Sequence, residues 1–310
     1  MNKKITSVAF ALIMVTGCVL AEKKYSTPGM NFYSEYNDAI QYFTTKDESD
    51  LLDVSKATCQ YSHGGTADCV THISPTFNFP KDSLTVQSEI IRSGNVAFKF
   101  VNGEGDCGEH TSGPNQSDCN TSRERSEISM RALKTEDTWF KFSIFIPEES
   151  EFTVPVANAI WQIHLKNSPP AFMLRIGANG DLLWSDFINN SWGGVEYTKI
   201  LDAKYVKEQW NDFVVNIGFV KHPNKSHIKV WANDELKIDY NAHTTGPLSA
   251  QPFMKFGIYK SHIDRYENLH TGKTVPKRGD GIVYYDAIAI GNNCKELKLE
   301  NEGNSCNNIK

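Results

Sequence analysis

The sequence has no internal hydrophobic run of the ~20 residues that a membrane-spanning helix needs. It also lacks an excess of positive charge, because 32 basic residues stand against 37 acidic ones and the formal charge is −5. This balance does not favour nucleic-acid binding. Internal repeats, low-complexity tracts and Cys-x-x-Cys pairs are absent too. What is present, 40% hydrophobic residues in a chain of 310, is typical of a globular domain with a large core.

The first 21 residues have the pattern of an export signal. Lys3 and Lys4 form a short basic region, and residues 5–15 are apolar over the length typical of a signal peptide. Residues 15–18 resemble a bacterial lipobox, in which Cys18 becomes the lipidated first residue, whereas residues 19–21 offer an ordinary cleavage site. We therefore expect a signal peptide at 1–21 and one exported domain at 22–310, either secreted or lipid-anchored in the bacterial cell envelope.

Seven cysteines are present, and six remain once Cys18 is assigned to the export segment. An even number in an oxidising compartment indicates a disulfide framework, although six cysteines permit about 15 pairings. Zinc binding is the alternative, which the missing Cys-x-x-Cys spacing disfavours. From the order along the chain we predict three local bridges, Cys59–Cys69, Cys107–Cys119 and Cys294–Cys306.

Strands and turns dominate the pattern from about residue 70 onward, because apolar and polar residues alternate with a period of two. The predicted strands are residues 96–101, 138–146, 159–166, 172–176, 213–219, 228–231, 236–240, 254–259 and 282–290. Asn233 and Asp234 predict a hairpin turn, and the best helical candidate surrounds residues 36–43. Since no long helix separates the strands, the sequence predicts an all-β jelly roll, a concanavalin A-like sandwich of two sheets.

Three strands carry polar side chains on one face, because residues two apart in a strand share a face. Their polar faces are Arg125, Glu127, Ser129 and Arg131 in the first, Gln162, His164 and Lys166 in the second, and Lys255, Gly257 and Tyr259 in the third. The second strand turns Ala159, Trp161, Ile163 and Leu165 towards the core. Solvent-facing strands are polar by default, but they favour Thr, Ser, Lys and Glu. We therefore predict a positively biased groove, with open space at Gly257.

Three short motifs lie on these strands: Arg-Ser-Glu at 125–127, Gln-Ile-His at 162–164 and Lys-Phe-Gly-Ile-Tyr at 255–259. The first two resemble the Arg-Ser/Thr-Glu and Gln-Ile-His motifs of alginate lyases. The third is similar to the corresponding strand of heparin lyase I and the glucuronan lyases, as are residues 168–176 and 283–286. The resemblance to the jelly-roll polysaccharide lyases spans roughly residues 85–292.

This resemblance implies β-elimination of a polymer that contains uronic acid, such as glucuronan, alginate or a heparin-like chain, to unsaturated oligosaccharides. Arg125 and Gln162 are then expected to neutralise the substrate carboxylate. His164 and Tyr259 share the roles of base and acid, with His164 the expected base and Tyr259 the expected acid. A neutral His164 as base predicts an ascending limb of the pH profile near the usual histidine pKa of about 6.5.

Substrate-binding side chains are expected beside these four groups, and the candidates are Lys255, Glu127, Arg131, Lys166 and Arg175. The loop at 102–122, closed by the predicted Cys107–Cys119 bridge, forms either a wall over the groove or only a stabilised surface loop. Residues 262–280 include several basic side chains and are a further candidate for binding anions; Arg278 is one of them.

Two other functions compete with the lyase hypothesis. A glycoside hydrolase would need two carboxylates on one strand face, about 5–9 Å apart, and the sequence shows no such pattern. A non-catalytic carbohydrate-binding module of lectin or laminin-G type needs no acid–base pair and stays the alternative. No cofactor is required, although several jelly-roll carbohydrate proteins hold a structural Ca²⁺, for which Asp286 is the candidate. We expect a monomer whose partner is an anionic polysaccharide and not nucleic acid.

Overall fold

The structure is a computed structural model. It describes residues 41–42, 71–73, 83–94, 97–107, 118–132, 137–154, 156, 158–165, 170–187, 196–218, 227–241, 252–274 and 276–309.

Strands account for nearly all the regular structure of the described residues. They are β1 Gln41–Tyr42, β2 Thr71–Ile73, β3 Leu84–Gln87, β4 Ala97–Asn102, β5 Arg123–Ala132, β6 Asp137–Phe145, β7 Asn158–Leu165, β8 Pro170–Ile176, β9 Leu182–Asp186, β10 Glu196–Leu201, β11 Trp210–Gly218, β12 Ile228–Ala232, β13 Glu235–Tyr240, β14 Pro252–Ser261 and β15 Gly281–Gly291. One short helix, α1 at Ile263–Asn268, follows β14. It is too short to span a bilayer, and the described part of the chain holds no other candidate.

The strands form two antiparallel sheets, as the jelly-roll prediction requires. One sheet has seven strands in the order β10-β9-β8-β7-β14-β5-β2. The other has eight, in the order β13-β12-β11-β6-β15-β4-β3, with β1 paired to β15 outside that path. Neighbours such as β5 and β14 lie far apart in sequence, so the sheet brings together residues that the chain separates.

Aromatic side chains from both sheets fill the space between them. Phe142 of the eight-stranded sheet stacks on Trp161 of the seven-stranded sheet, with ring centroids 5.4 Å apart. Phe100 meets Tyr285 edge to face at 5.3 Å. Offset and edge-to-face contacts of this kind add about 0.5–1.5 kcal/mol each to the stability that burial supplies. This core fixes the seven-stranded sheet, whose opposite face carries the site.

All nine strands predicted from alternation are present, with ends that differ by at most three residues. The hairpin turn is confirmed, because Asn233 and Asp234 join β12 to β13 with φ angles of +49° and +69°. The helix predicted around 36–43 is wrong at residues 41–42, which form β1 against Ala289 and Ile290. The remainder of that segment lies outside the described residues. Pairing to β15 outweighs a weak local helix propensity there.

The disulfide prediction is confirmed where it can be followed. Cys294 and Cys306 form a bridge in the C-terminal segment, which packs Leu297, Leu299 and Ile309 on the outer face of the eight-stranded sheet. Cys107 is also disulfide-bonded. Cys59, Cys69 and the side chain of Cys119 lie outside the described residues, so their pairings stay predictions.

Candidate active site

The three strands that carry the sequence motifs are neighbours in the seven-stranded sheet, in the order β7-β14-β5. Met254, Phe256 and Ile258 of β14 lie in the core, as alternation predicts. The opposite face of the sheet, called the site face below, carries the polar side chains Arg125 and Glu127 from β5, Gln162 and His164 from β7, and Lys255 and Tyr259 from β14.

The strand register places these residues in rows across the sheet. Lys255 lies opposite Gln162, and Tyr259 lies opposite Arg125. His164 lies opposite Phe253, and their ring centroids are 5.2 Å apart. Directly opposite residues of antiparallel strands have side chains on the same face, so each pair meets on the site face.

Burial of these polar groups distinguishes the site face from an ordinary solvent face. The exposed fraction is 1% for Gln162, 4% for Glu127 and 7% for Lys255. Charged side chains are almost never buried to this extent unless they are paired. The simple explanation of a hydrated polar face therefore does not hold for this part of the sheet.

Glu127 is the centre of the cluster. Its Oε2 accepts hydrogen bonds from Nζ of Lys255 at 3.1 Å and from Nη1 of Arg125 at 3.0 Å. Its Oε1 accepts a hydrogen bond from the side-chain amide of Gln162. Burial alone would raise the pKa of Glu127, but the positive charges of Lys255 and Arg125 hold it below its usual range. Glu127 therefore stays ionised and fixes three donors.

Burial shifts the pKa values of Lys255 and Tyr259 in opposite directions. Burial lowers the pKa of Lys255 to about 8, despite the opposing effect of Glu127. Burial raises the pKa of Tyr259 above its usual value, and the nearby charge of Arg125 only partly offsets this. Tyr259 is consequently protonated at neutral pH, the form that a general acid needs.

His164 lies at the Phe253 end of the cluster. Burial lowers its pKa to about 4, and the positive charge of Lys255 acts in the same direction. Its Nδ1 lies 2.8 Å from the carbonyl oxygen of Leu165. Because a carbonyl only accepts, Nδ1 carries the proton and Nε2 keeps its lone pair. With this pKa, an ascending limb that reports His164 is expected below pH 6.5.

The guanidinium of Arg125 is bound by two carboxylates, those of Asp118 and Glu127. Its Nε and Nη2 donate to the two carboxylate oxygens of Asp118 at 2.8 and 3.1 Å, and its Nη1 donates to Glu127. Its guanidinium carbon lies 4.4 Å from the ring centroid of Tyr259. Asp118 was not found from the sequence, because nothing in the local pattern shows that its loop folds back onto β5.

Two strand irregularities shape the site face and correct two predictions. Ile160 lies in the core beside Trp161, which strict alternation does not predict, because the register of β7 shifts between Ala159 and Trp161. Gly257 has φ +130°, and a Cβ built there would lie 2.2 Å from the carbonyl oxygen of Ser126. The neighbouring backbone, and not open space, thus requires glycine at this position.

A buried tyrosine of the opposite sheet holds both irregularities. The hydroxyl of Tyr285 hydrogen-bonds to the carbonyl oxygen of Ile160, and it lies 3.1 Å from the carbonyl oxygen of Gly257. Tyr285 is fully buried. Its single hydroxyl therefore connects the eight-stranded sheet to the two strands that present His164 and Tyr259.

Of the predicted substrate-binding residues, the structure places Lys255 and Glu127 in the cluster and Arg175 on β8. Arg175 lies opposite Ala159 of β7, and Ala159 lies opposite Tyr259 of β14. Arg175 is therefore on the site face, two strands from Tyr259. Its Nη1 is 3.2 Å from the hydroxyl of the exposed Tyr197. The side chain of Arg131 and all of Lys166 lie outside the described residues.

Arg278 was a candidate anion-binding residue and is instead a structural ion-pair partner. It is buried, and its Nη2 donates to Oε1 of Glu124 at 2.6 Å. Its Nη1 lies 3.3 Å from Oε1 of Glu267 in α1. These contacts attach the segment after β14 to β5.

Asp286, the candidate calcium ligand, accepts backbone N–H bonds from Arg92, Ser93 and Ala287 at 2.6–2.9 Å. Such donors satisfy the carboxylate without a metal. No group of three or more His, Cys, Asp or Glu side chains within the described residues is arranged to hold a metal ion. Calcium binding stays an untested prediction.

Comparison with known sequences settles the family. Residues 56–289, about three quarters of the chain, match the sequence profile of a family described as polysaccharide lyase. The chain belongs to the polysaccharide lyase family. Its substrate class is accordingly a polysaccharide. No curated protein matches the sequence.

The chain is also similar to solved structures of lyases, of which the first has the same fold. An endo-β-1,4-glucuronan lyase from the fungus Trichoderma reesei has 17% identity and a TM-score of 0.52, over 73% of this lyase and 92% of that chain. An alginate lyase from Pseudomonas aeruginosa has 14% identity and a TM-score of 0.43, over 66% and 85% of the two chains. The family 7 alginate lyase A1-II′ has 12% identity and a TM-score of 0.47, over 69% and 85%.

Proposed function

We propose that this lyase cleaves a polysaccharide containing uronic acid by β-elimination and leaves an unsaturated sugar at the new end. The observation that carries the proposal is the buried cluster of Glu127, Lys255, Gln162 and Arg125, with His164 at one end and Tyr259 at the other. Elimination needs a site for the substrate carboxylate, a base for the proton on C5 and an acid for O4.

His164 is the proposed base. Its Nε2 has the free lone pair, because Nδ1–H donates to the carbonyl of Leu165. At neutral pH a histidine whose pKa is about 4 is unprotonated and can accept the C5 proton. The negative charge of a bound uronate would raise this pKa, since it opposes the charge of Lys255. Substrate binding therefore strengthens the base.

Tyr259 is the proposed acid. Its raised pKa keeps the phenol protonated, so the hydroxyl can donate its proton to O4 as the C4–O4 bond breaks. The electron pair of the C5–H bond becomes the C4–C5 double bond, and His164 holds the C5 proton. No hydrogen bond joins His164 to Tyr259 among the described contacts, so the substrate itself would bridge them.

Lys255 and Gln162 are the proposed partners of the substrate carboxylate, together with Arg125. Removal of the C5 proton becomes easier when the adjacent carboxylate is neutralised, because negative charge then develops next to a cation. Lys255 and Gln162 lie opposite each other at the centre of the site face. The amide nitrogen of Gln162 has two N–H groups, so besides the one donated to Glu127 it has a second to donate to the substrate carboxylate.

A non-catalytic carbohydrate-binding module is the alternative. It would need polar and aromatic contacts but no neutral histidine base and no protonated phenol. Ultraviolet absorbance of unsaturated ends distinguishes the two, and we expect it to rise when the enzyme meets glucuronan, alginate or a heparin-like polymer. Binding without any rise on all three polymers would leave only the binding module.

Substitution of the acid tests the assignment within the same assay. Tyr259→Phe keeps the ring under Arg125 and removes only the hydroxyl, so elimination should be lost while polymer binding is kept. His164→Ala should be similarly damaging, and the double variant little worse, because groups that act as a unit are non-additive. A folded Tyr259→Phe enzyme with the normal rate would contradict the acid role.

Export is part of the proposal, with lipidation at Cys18 left open. The Cys294–Cys306 bridge supports it, because structural disulfides persist in oxidising compartments. Thiol titration of the denatured, unreduced protein should find no free thiol among the six cysteines after Cys18. Two reactive thiols would contradict the disulfide framework.

A further inference from the structure

The loop between β4 and β5 holds Arg125 from both of its ends. At the first end the carbonyl oxygen of Asp106 accepts the backbone N–H of Arg125 at 2.9 Å. At the second end the carboxylate of Asp118 takes the guanidinium in a two-point ion pair. Cys107, which is disulfide-bonded, follows the first of these residues directly. The loop is thus fastened to one particular arginine of the site face.

Asp118 is placed where it can control the orientation of that arginine. Its side chain is 3% exposed and that of Arg125 is 10% exposed, so water does not compete strongly for either. A bidentate carboxylate–guanidinium pair fixes the plane of the guanidinium as well as its distance. The same plane lies over the ring of Tyr259, with 4.4 Å from the guanidinium carbon to the ring centroid.

We propose that Asp118 is a positioning residue of the active site, which holds Arg125 over Tyr259 and thereby orients the proton-donating phenol. This inference rests on the proposed acid role of Tyr259. In this arrangement the main role of Arg125 is to orient the ring of Tyr259, in addition to any contact with the substrate. The loop then acts on the chemistry through one carboxylate.

The charges in this arrangement predict a signature that a purely structural role would not give. The positive charge of Arg125 lowers the pKa of Tyr259, whereas the negative charge of Asp118 raises it. Without Asp118 the guanidinium is no longer held over the ring, and because the effect of Arg125 on this pKa is larger than that of Asp118, replacing Asp118 by a neutral residue should move the titration of Tyr259 to higher pH. Burial is the largest influence on this pKa and is unaffected by an isosteric substitution.

The chain supplies a matched control at the other end of the loop. Asp106 is also acidic, and its Oδ2 accepts a hydrogen bond from the backbone of Gly103 at 2.6 Å. Its contact with Arg125 uses the backbone carbonyl, which Asp106→Asn leaves in place. Asp106→Asn and Asp118→Asn thus make the same chemical change on the same loop, but only the second touches the guanidinium.

The experiment measures the phenolate absorbance of Tyr259 as the difference between each variant and the same variant carrying Tyr259→Phe. We expect Asp118→Asn to shift the transition to higher pH, because Arg125 leaves the ring, and Asp106→Asn to leave it unchanged. In the elimination assay Asp118→Asn should lower kcat by about tenfold to a hundredfold, as misplaced groups do, with KM little changed.

The double variant Asp118→Asn/Arg125→Gln covers the case in which the single variant does not fold, because it replaces an ion pair by a neutral pair. Its Tyr259 transition should lie above that of wild type, since the charge that lowers the pKa is gone. A transition in Asp118→Asn that is unchanged or moves to lower pH, as expected if Arg125 stays in place without Asp118, would overturn the inference, and so would an equal shift in Asp106→Asn. The titration needs no turnover, so it stays informative even if no polymer is cleaved.

Discussion

Nζ of Lys255 lies 3.1 Å from Oε2 of Glu127, and this ion pair is buried on the face of the sheet opposite the core. Taking two charges out of water is costly, and leaving one of them unpaired is costlier still. The pair therefore ties the stability of the seven-stranded sheet to the electrostatics of the active site.

Glu127→Gln should destabilise the fold and disturb the site together. Removing one partner of a buried pair typically costs about 3–5 kcal/mol, which urea unfolding measures. Without the opposing charge of Glu127, the pKa of Lys255 should fall below its present value of about 8. Glu302→Gln is the control, because Glu302 pairs with the equally buried Lys141 on the other sheet. It should lose stability but keep kcat; loss of kcat in both variants would show only general unfolding.

The depressed pKa of His164 predicts a specific pH dependence of stability. Between the usual value of 6.5 and the folded value of about 4, the unfolded chain binds a proton that the folded chain does not. The contribution is therefore complete above pH 6.5 and is lost as the pH falls towards 4. As the pH falls through this window, the unfolding free energy of wild type should decrease relative to that of His164→Gln.

The ascending limb of kcat/KM, which reports the free enzyme, should also lie well below pH 6.5. A histidine resonance of residue 164 that titrates at 6.5 would contradict both statements.

Arg175→Gln should weaken substrate binding without slowing the chemical step. Within the described residues Arg175 forms no ion pair, and its guanidinium lies beside the exposed Tyr197, so its charge is available to an anionic polymer. A lost hydrogen bond to a charged group costs about 1.5–3 kcal/mol, which corresponds to a KM at least about tenfold higher. Lys204→Gln is the control, because Lys204 lies over another exposed ring, that of Tyr205, after the edge strand β10. Equal effects of both substitutions would indicate a non-specific charge effect.

Gly257→Ala should be strongly destabilising and should abolish activity in whatever fraction folds. The added Cβ would meet the carbonyl oxygen of Ser126 at 2.2 Å and the Cα of Glu127 at 2.7 Å, so β5 would have to move. Positive-φ strain adds about 1–3 kcal/mol for a residue other than glycine. Gly272→Ala has a positive φ of 78° with nothing within 4 Å, and it should show the backbone strain alone. Similar unfolding free energies for the two variants would contradict the close approach of the strands.

Alternation along the strands was enough to place most of the site. Side chains of β5 and β14 alternate regularly around Arg125, Glu127, Lys255 and Tyr259, so the sequence shows which of them share a face. The pairing of β5 with β14 is a long-range contact that periodicity does not reveal. It became predictable only through the resemblance of the three motifs to known lyases.

Other features depend on geometry that local patterns do not encode. The irregularity at Ile160 was missed because one extra residue in a strand reverses the alternation without changing its composition. Asp118 was missed because it acts from a loop across space. The depressed pKa of His164 follows from burial, which a polar strand face does not predict.

The hydroxyl of Tyr285 has a consequence for how such an enzyme can be re-engineered. It contacts the two irregular positions of β7 and β14 from the opposite sheet, so the motif strands inherit their shape from a residue buried between the sheets. Transplanting the three motif strands into another sandwich would leave the carbonyls of Ile160 and Gly257 without the one hydroxyl hydrogen that they share. The unit that can be exchanged between lyases is therefore the pair of sheets together with the loop that carries Asp118.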